Sequence, residues 1–337
     1  MRAMLFLPAL AAFLVSLACL GALLSPIGRG LMLDRPNQRS LHGRPVPRSG
    51  GISIAAGVAA CAAASDAVTL QGVGAILAIA GGLALISFAD DILALPVLLR
   101  LAAHIAAAGA ALGLAVGVAE PALFAVLLLA IAWYANLYNF MDGSDGLAGG
   151  MAVLGFGAYA WVAHQTGHGA LATASGGIAV ATIAFLLANF HPARIFMGDV
   201  GSVPLGFLAG AMGVLGWRDG VWPLWFPVLV FAPFVCDATL TLVKRLLRRE
   251  RVWEPHKDHY YQRLVRMGFG HRATAWIEYA AMAGCAATAI LVRAAEPAAQ
   301  AGALGAAVVV LIAIAVWIDA RWARWSRARG DSGGAAA

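Results

Sequence analysis

The sequence predicts an all-α, polytopic integral membrane protein with about 11 transmembrane helices. Of its 337 residues, 61% are hydrophobic and only 12% are charged, whereas a soluble domain carries about 25% charged residues. The apolar runs are continuous and rich in alanine and leucine, without the alternation of a membrane β-barrel. The four cysteines all lie in apolar runs, so we expect buried thiols rather than disulfides or zinc ligands.

If each apolar run crosses the membrane, successive connections lie on alternate sides of it. This assignment places nearly all the basic residues on one side. All but three of the 23 lysines and arginines (Arg2, Arg218 and Arg293) then fall on one side. The positive-inside rule places that side in the cytoplasm, with the N-terminus outside and the C-terminus inside. The first run lacks a small-residue cleavage site, which favours a spanning helix over a signal peptide. The runs are predicted at residues 3–24, 51–65, 72–88, 97–118, 121–138, 147–163, 170–189, 200–216, 221–243, 273–292 and 300–318.

We predict a single transmembrane catalytic domain over residues 1–320, followed by a basic and disordered cytoplasmic tail over residues 321–337. The outer connections are short, whereas the inner loops hold nearly all the polar side chains. An active site is therefore expected at the cytoplasmic face. The inner loops are predicted at residues 25–50, 89–96, 139–146, 190–199 and 244–272.

The first inner loop combines arginines and prolines with the sequence Ser49-Gly50-Gly51. Prolines stiffen a loop and glycines let a ligand approach the backbone closely, as an anion-binding loop requires. The candidate substrate-binding residues here are His42, Arg44 and Arg48. Ordinary positive-inside charge also explains the arginines, but it does not explain the histidine or the glycine pair.

Paired carboxylates occur at the ends of two predicted helices. Asp90 and Asp91 end the third run, and Asp142 and Asp145, each followed by a glycine, lie in the segment Asn139–Gly146. Carboxylates beside hydrocarbon are unfavourable unless a cation binds, and Mg²⁺ or Mn²⁺ prefers such oxygen ligands. Neighbouring helical residues point about 100° apart, so one of Asp90 and Asp91 can bind metal while the other handles a proton; which one does so stays open. Asp-Gly turns and side chains facing water are the alternatives.

Two further inner loops add a carboxylate and two imidazoles. Asp199 lies between two glycines immediately before a predicted helix, where it can be an N-cap or part of a phosphate site with Arg194 upstream. His256 and His259 follow a proline in the last long loop. Because no cysteine or third histidine lies close by in sequence, we expect them to contact phosphate or nucleotide.

These side chains come from separate loops and are surrounded by apolar helices. The combination suits one or more Mg²⁺ ions, a polyphosphate and an apolar groove for a lipid co-substrate, and hence metal-assisted phosphoryl transfer. An ion-coupled transporter is the rival class, but it would place acids near mid-bilayer and often show an inverted repeat. A further carboxylate, Asp237, is expected to pair with Lys244, two helical turns later. The five inner carboxylates are Asp90, Asp91, Asp142, Asp145 and Asp199.

Five motifs follow one another from the first inner loop to the last. They are Asp34-Arg-Pro-Asn with His42 and Pro45-Val-Pro-Arg-Ser-Gly-Gly; Asp90-Asp91; Asn139-Phe-Met-Asp-Gly-Ser-Asp-Gly; Phe196-Met-Gly-Asp-Val-Gly-Ser; and Pro255-His-Lys-Asp-His-Tyr-Tyr-Gln-Arg-Leu. In this order they resemble the polyprenyl-phosphate N-acetylhexosamine-1-phosphate transferases, glycosyltransferase family 4. Together the motifs are far more specific than any one alone.

The resemblance implies a Mg²⁺-dependent enzyme, with Mn²⁺ as a substitute, that transfers a sugar-1-phosphate from a UDP-N-acetylhexosamine to undecaprenyl phosphate and releases UMP. It also implies the bacterial inner membrane, contacts with membrane lipids and no nucleic acid partner, and it allows for a homodimer. Asp199 and Asp91 resemble metal ligands, and Phe196 resembles a contact to uracil. Residues and resemblance together assign catalytic roles to Asp90, Asp91, Asp142, Asp145, His256 and His259, and substrate binding to His42, Arg44, Arg48, Asn139, Arg194 and Phe196.

The last loop distinguishes two branches of that family. The branch that makes the peptidoglycan lipid carries consecutive histidines there, whereas this chain has His256-Lys-Asp-His259. It is therefore more similar to the branch that initiates O-antigen and related surface polysaccharides, with UDP-GlcNAc or a deoxy relative such as UDP-FucNAc or UDP-QuiNAc as the donor. A phospho-N-acetylmuramoyl-pentapeptide transferase is the alternative within the family.

Overall fold

The computed structural model describes residues 2–28, 32–34, 41, 44–65, 68, 72–254 and 256–328. Those residues are mostly helical, which confirms the predicted all-α class. The strands described are two short ones in the first inner loop, where β1 (Leu33–Asp34) pairs antiparallel with β2 (Val46–Pro47). The helices are α1 (Arg2–Leu23), α2 (Gly51–Ala63), α3 (Val73–Leu93), α4 (Val97–Ala110, continued by a π-helical turn at Ala111–Val116), α5 (Pro121–Phe140), α6 (Leu147–Gln165), α7 (Gly169–Asn189), α8 (Asp199–Arg218), α9 (Trp225–Val230), α10 (Ala232–Leu247), α11 (Tyr260–Leu264, continued by a π-helical turn at Val265–Phe269), α12 (Gly270–Val292) and α13 (Pro297–Ala328).

Nine helical segments in the described part of the chain are long and apolar enough to cross a membrane, and two further apolar segments complete the predicted set. One of them, α2, has only 13 residues, as its short run indicated. The other, predicted as one span over residues 221–243, is wrong as a single helix, because α9 ends at Val230 and α10 begins at Ala232. Pro233 has no N–H to donate to Leu229, so the helix restarts with this proline in its first turn.

The last helix is longer than predicted. It continues to Ala328, so the expected domain end at residue 320 lies inside a helix, and Arg321 and Arg324 are helical rather than disordered. No glycine or proline occurs from Ala306 to Arg329, which lets the helix continue past its apolar part. Residues 329–337 of the predicted tail lie outside the described residues.

Helix α8 is the most enclosed of the nine spans found in the described chain, with 94% of its apolar stretch buried. Glycines spaced three and four residues apart let neighbouring helices approach its backbone closely. A Cβ on Gly206 would lie 2.6 Å from the Tyr138 Cβ of α5, and one on Gly213 would lie 2.7 Å from the Pro227 Cβ of α9. Because α8 begins at Asp199, this tight packing fixes the position of that carboxylate.

Replacing Gly206 by alanine is expected to lower thermal stability. The added methyl group would meet the Tyr134 carbonyl and the Tyr138 side chain, and overpacking of this kind costs about 1–3 kcal/mol. Gly305→Ala is the matched control, because a Cβ at that helical position meets nothing within 4 Å and gains the same helix propensity. The measurement is the melting temperature of each purified variant in detergent. Equal values for the two variants would contradict the close packing of α8 on α5.

Candidate active site

One cavity of about 760 Å³ opens among the inner loops. All the carboxylates predicted for the site line it, namely Asp90, Asp91, Asp142, Asp145 and Asp199. Asn139 and Phe196 line it as well, and α3 and α4 contribute apolar walls that include Leu83, Ile86 and Leu101. A strongly charged centre therefore lies directly beside surface suited to hydrocarbon.

Backbone hydrogen bonds join the first inner loop to the segment before α8. Phe196 donates to the Pro47 carbonyl at 2.7 Å, and Gly50 donates to the Phe196 carbonyl at 2.8 Å. Gly198 follows with a φ of 71°, and a Cβ there would collide with the Arg48 carbonyl. Glycine is therefore required at position 198 both for its conformation and for the space it leaves.

The adjacent carboxylates at the end of α3 have different surroundings. Asp90 accepts hydrogen bonds from the Leu95 N–H at 2.7 Å and from Arg100 at 3.2 Å. Both of its oxygens are therefore occupied by hydrogen bonds that stabilise the connection between α3 and α4. Asp91 has one oxygen 3.5 Å from Arg48, whereas its Oδ2 is buried without a hydrogen-bond partner among the described residues. Of the two, Asp91 is the one with an oxygen available to a cation.

The side chain of Asn139, at the end of α5, holds the first turn of α8. Its amide donates to Asp199 Oδ1 at 2.8 Å and to Ser202 Oγ at 2.9 Å. Ser202 in turn donates to the Gly198 carbonyl at 3.2 Å. Because Asn139 is an uncharged donor, it fixes the direction of the Asp199 carboxylate without neutralising it.

Asp142, in the loop between α5 and α6, experiences the charges of two neighbouring carboxylates. Burial, followed by repulsion from Asp199 and then Asp91, raises the pKa of Asp142 well above its usual value. A hydrogen bond with the Gly198 backbone acts in the opposite direction. Three carboxylates in one cavity disfavour one another's charged forms, and a bound cation reverses that effect.

The donor set fits Mg²⁺ bound jointly with a substrate rather than a metal held by protein alone. Among the described residues, no group of three or more histidine, cysteine or acidic residues is arranged to hold a metal ion. Mg²⁺ is commonly held by one or two carboxylates together with waters and substrate phosphates. The unpartnered Oδ2 of Asp91 lies 3.3 Å from where a Cβ on Gly198 would stand. Asp91 and Asp199 are thus close enough in the fold to suit such a shared site.

Two histidines that the sequence motifs did not assign to the site surround Asp145. His191 Nδ1 lies 2.7 Å from Asp145 Oδ2, which also accepts from the Ala193 N–H at 3.1 Å. His271 Nδ1 lies 2.9 Å from Ser144 Oγ, and the two imidazoles stack with centroids 5.5 Å apart. Asp145 therefore ties its own loop to the loop after α7, and Ser144 ties the same loop to the start of α12. The position of both histidines at the ends of inner loops is the sequence signal that indicates this role.

Asp237 orients His259, so the predicted pairing of Asp237 with Lys244 is wrong. The Asp237 carboxylate accepts from the backbone N–H groups of Tyr260 and Tyr261, each at 3.0 Å, and lies 3.0 Å from His259 Nδ1. The free N–H groups at the start of α11 attract this carboxylate, whereas Lys244 pairs with a carboxylate of α13.

His256 lines the same cavity, with its ring centroid 4.9 Å from that of His259. Burial, followed by the charges of His259 and Arg245, lowers the pKa of His256 to about 4. The imidazole of His256 is therefore uncharged at neutral pH. It can contact a phosphate as a hydrogen-bond donor but does not supply a positive charge.

Some predicted substrate-binding residues are not brought to this cavity. Arg194 is exposed and donates to the Leu187 carbonyl at 3.1 Å, as basic side chains commonly do near helix C-termini. Arg44 is exposed and does not line the cavity, whereas Arg48 does. His42 lies outside the described residues.

Comparison with known proteins identifies the family. The model of "Glycosyl transferase family 4" matches residues 73–216, the segment from α3 to α8. A probable undecaprenyl-phosphate N-acetylglucosaminyl 1-phosphate transferase of Bacillus subtilis is 29% identical over 295 residues, which cover 80% of each chain. A decaprenyl-phosphate N-acetylglucosaminephosphotransferase of Mycolicibacterium smegmatis is 31% identical over 332 residues, covering 83% of this chain and 80% of the relative.

One relative from the peptidoglycan branch matches a smaller part of the chain. A phospho-N-acetylmuramoyl-pentapeptide-transferase of Moorella thermoacetica is 40% identical over 104 residues, covering 31% of this chain and 32% of the relative. The relatives that align with most of this chain are thus the N-acetylglucosamine-1-phosphate transferases. This agrees with the structure, in which residues from all five motifs line one cavity. This chain belongs to glycosyl transferase family 4 and, within it, to the polyprenyl-phosphate N-acetylhexosamine-1-phosphate transferases.

Proposed function

We propose that this enzyme transfers an N-acetylhexosamine-1-phosphate from a UDP-sugar to undecaprenyl phosphate and releases UMP, with Mg²⁺ as its cofactor. The observation that carries the proposal is the convergence of Asp91, Asp142 and Asp199 in a cavity with apolar walls. Negative charge beside hydrocarbon suits a cation-bound diphosphate next to a lipid phosphate. The names of the relatives support a polyprenyl phosphate as the acceptor class.

In the proposed reaction, an oxygen of the lipid phosphate attacks the phosphorus that carries the sugar. A new phosphorus–oxygen bond forms there, and the bond from that phosphorus to the oxygen bridging to UMP breaks. UMP leaves with the bridging oxygen and its electron pair, and the product is a lipid diphosphate bearing the sugar. Catalysis of such a transfer is largely positioning and electrostatic stabilisation.

Asp91 and Asp199 are the residues we propose to hold Mg²⁺, or Mn²⁺ as a substitute. When bound, the ion would neutralise negative charge on the diphosphate. The hydrogen bonds that occupy Asp90 support Asp91 as the ligand of the adjacent pair. Arg48, 3.5 Å from Asp91, keeps a positive guanidinium at the same wall of the cavity.

His259 is proposed to face the substrate phosphates with Nε2, which acts as a hydrogen-bond acceptor when the ring proton is at Nδ1. Its Nδ1 faces the Asp237 carboxylate at 3.0 Å, which fixes the ring orientation and favours a proton at Nδ1. Asp237 is therefore a positioning residue for His259. Phe196, which lines the cavity, is proposed to lie against the uracil ring of the donor, since aromatic rings stack favourably.

UDP-GlcNAc, or a close relative such as UDP-FucNAc or UDP-QuiNAc, is the donor we favour, for the synthesis of a surface glycan. Two relatives whose names specify N-acetylglucosamine align with 80% and 83% of this chain. The relative from the peptidoglycan branch aligns with only 31% of it. The separated histidines His256 and His259 support the same choice.

The protein is proposed to lie in a bacterial inner membrane, with the cavity open to the cytoplasm and the N-terminus in the periplasm. Basic side chains mark the cytoplasmic side, and two of them, Arg48 and Arg100, line the cavity itself. Asp91 and Asp199 lie at the ends of helices of 21 and 20 residues, which are long enough to span the membrane, so both lie near a membrane surface, whereas a transporter would place its acids near mid-bilayer. The homodimer that the resemblance allows stays a prediction.

Asp199→Asn is expected to slow UMP release by more than about 100-fold. Loss of a residue that only supports a metal ligand costs at most about 100-fold, and loss of a ligand itself should cost more. The side chains have nearly the same size, so the protein should still insert and keep its melting temperature. Asp219→Asn is the matched control, since it removes a carboxylate that pairs with Arg218 beyond the opposite end of α8. The assay measures UMP released from UDP-GlcNAc and undecaprenyl phosphate; wild-type turnover by Asp199→Asn would remove this residue from the site.

His256→Gln is expected to make stability less sensitive to acid. The pKa of His256 is about 4 in the folded protein and about 6.5 in an unfolded chain, so between these values the unfolded state binds more protons. Wild-type stability therefore falls as the pH drops from about 6.5 toward about 4, and the variant lacks this contribution.

The measurement is the loss of melting temperature between about pH 7.5 and about pH 5, which should be larger for wild type than for His256→Gln. His164→Gln, at an exposed position on the other side of the membrane, should behave as wild type. An equal loss in wild type and His256→Gln would show that the imidazole is not held neutral by its surroundings.

A further inference from the structure

A second cavity, of about 450 Å³, lies where the ends of α10 and α13 meet α11. Its lining carries three positive side chains, Lys244, Arg248 and Arg263, and one negative side chain, Asp319. Trp322 also lines it. Among the described residues, the two cavities share no lining side chain. This surface is therefore separate from the carboxylate site.

The length of α13 places the second cavity at the depth of lipid headgroups. Its 32 residues, at 1.5 Å each, extend about 48 Å, whereas the hydrocarbon core of a bilayer is about 30 Å thick. Its apolar part ends near Ile318, and the following turns carry Arg321, Trp322 and Trp325. Trp322 and Trp325 stack with ring centroids 4.9 Å apart, and tryptophan is enriched at the membrane–water interface.

Asp319 does not neutralise all the cations around it. It contacts Lys244 and accepts from Arg263 at 2.9 Å. The Arg248 side chain is 60% exposed and lies 3.9 Å from the Glu250 carboxylate. The Nε of Arg263 is buried and has no hydrogen-bond partner within the described chain. The cavity thus keeps positive charge and an unused donor on one of its lining residues.

Exposed apolar side chains lie next to these cations. Leu246 and Leu247, in the last turn of α10, are 64% and 79% exposed, and Leu247 lines the cavity. Arg266 lies over the Trp322 ring at 4.6 Å, which extends the positive rim. A ligand that matches both parts of this surface has an anionic head and apolar tails, and a free phosphate ion would match the cations alone.

We propose that this cavity binds the phosphodiester headgroup of an anionic phospholipid from the leaflet on the active-site side, with acyl chains along Leu246 and Leu247. Basic pockets between transmembrane helices bind anionic headgroups in this way. The lipid is a bound component in addition to the two substrates. The site requires only the charges and the depth described above, so it does not depend on the proposed sugar transfer.

The headgroup site is connected to the catalytic cavity through α11. The Tyr260 hydroxyl contacts both Lys244 and Asp319, and the Tyr260 backbone N–H donates to Asp237 at 3.0 Å. Asp237 is the residue that orients His259. A bound headgroup therefore braces the short helix on which the position of His259 depends.

The test measures retention of phosphatidylglycerol by the full-length enzyme, using native mass spectrometry from detergent micelles that contain phosphatidylcholine and increasing amounts of phosphatidylglycerol. Arg248→Glu is expected to weaken retention at least about fivefold, because one basic side chain near a membrane surface contributes about 1 kcal/mol. Arg324→Glu is the matched control: it has the same charge change on an exposed residue of α13 that does not line the cavity. Its retention should match that of wild type.

Arg248→Gln provides a milder second variant, and the exposure of Arg248 leaves the fold of both variants intact. Unchanged retention in both Arg248 variants would overturn the proposal. An equal loss in Arg248→Glu and Arg324→Glu would assign the effect to general surface charge and would overturn it as well. Displacement of the retained phosphatidylglycerol by undecaprenyl phosphate would assign the cavity to the acceptor instead.

Discussion

Repulsion among the carboxylates of Asp91, Asp142 and Asp199 is the constraint on which the rest of this structure depends. An ionised carboxylate among apolar helices is unfavourable unless it meets a cation or hydrogen-bond donors. The fold supplies donors individually, with Asn139 bonded to Asp199 and Arg48 beside Asp91. These contacts set the directions of the carboxylates but leave negative charge facing a common cavity. That remaining charge is what makes the site suited to a divalent ion carrying a diphosphate.

Holding such a site requires a rigid scaffold, and the tight packing of α8 supplies it. Glycines along α8 admit the neighbouring backbones, and the start of this helix is pinned by Asn139 and by the ladder between Phe196 and the first inner loop. Asp237 likewise fixes the orientation of the His259 ring, which also lines the cavity. The catalytic groups thus lie at helix ends or on loops joined to packed helices, which keeps the geometry within the narrow range that phosphoryl transfer needs.

The fold class and the carboxylates could be predicted from the sequence, because charged residues at the ends of long apolar runs have few structural explanations. Hydropathy alone did not reveal the break before Pro233, since proline interrupts a helix without changing its apolar character. The pairing of Asp237 with His259, 22 residues away, and of Ser144 with His271, 127 residues away, arises only when the helices pack. Arg194 was misplaced for a different, local reason: its side chain turns back to the Leu187 carbonyl in the last turn of α7, the helix that precedes it.

The most direct test of the shared cation is a count of Mn²⁺ ions bound to the purified enzyme in the presence of UDP, measured by electron paramagnetic resonance. If Asp91 and Asp199 hold the ion together, wild type should bind one Mn²⁺ per chain above the amount bound by UDP alone. Asp91→Asn and Asp199→Asn should each lose it, whereas Asp90→Asn should retain it. Undiminished Mn²⁺ binding by both Asp91→Asn and Asp199→Asn would contradict the account.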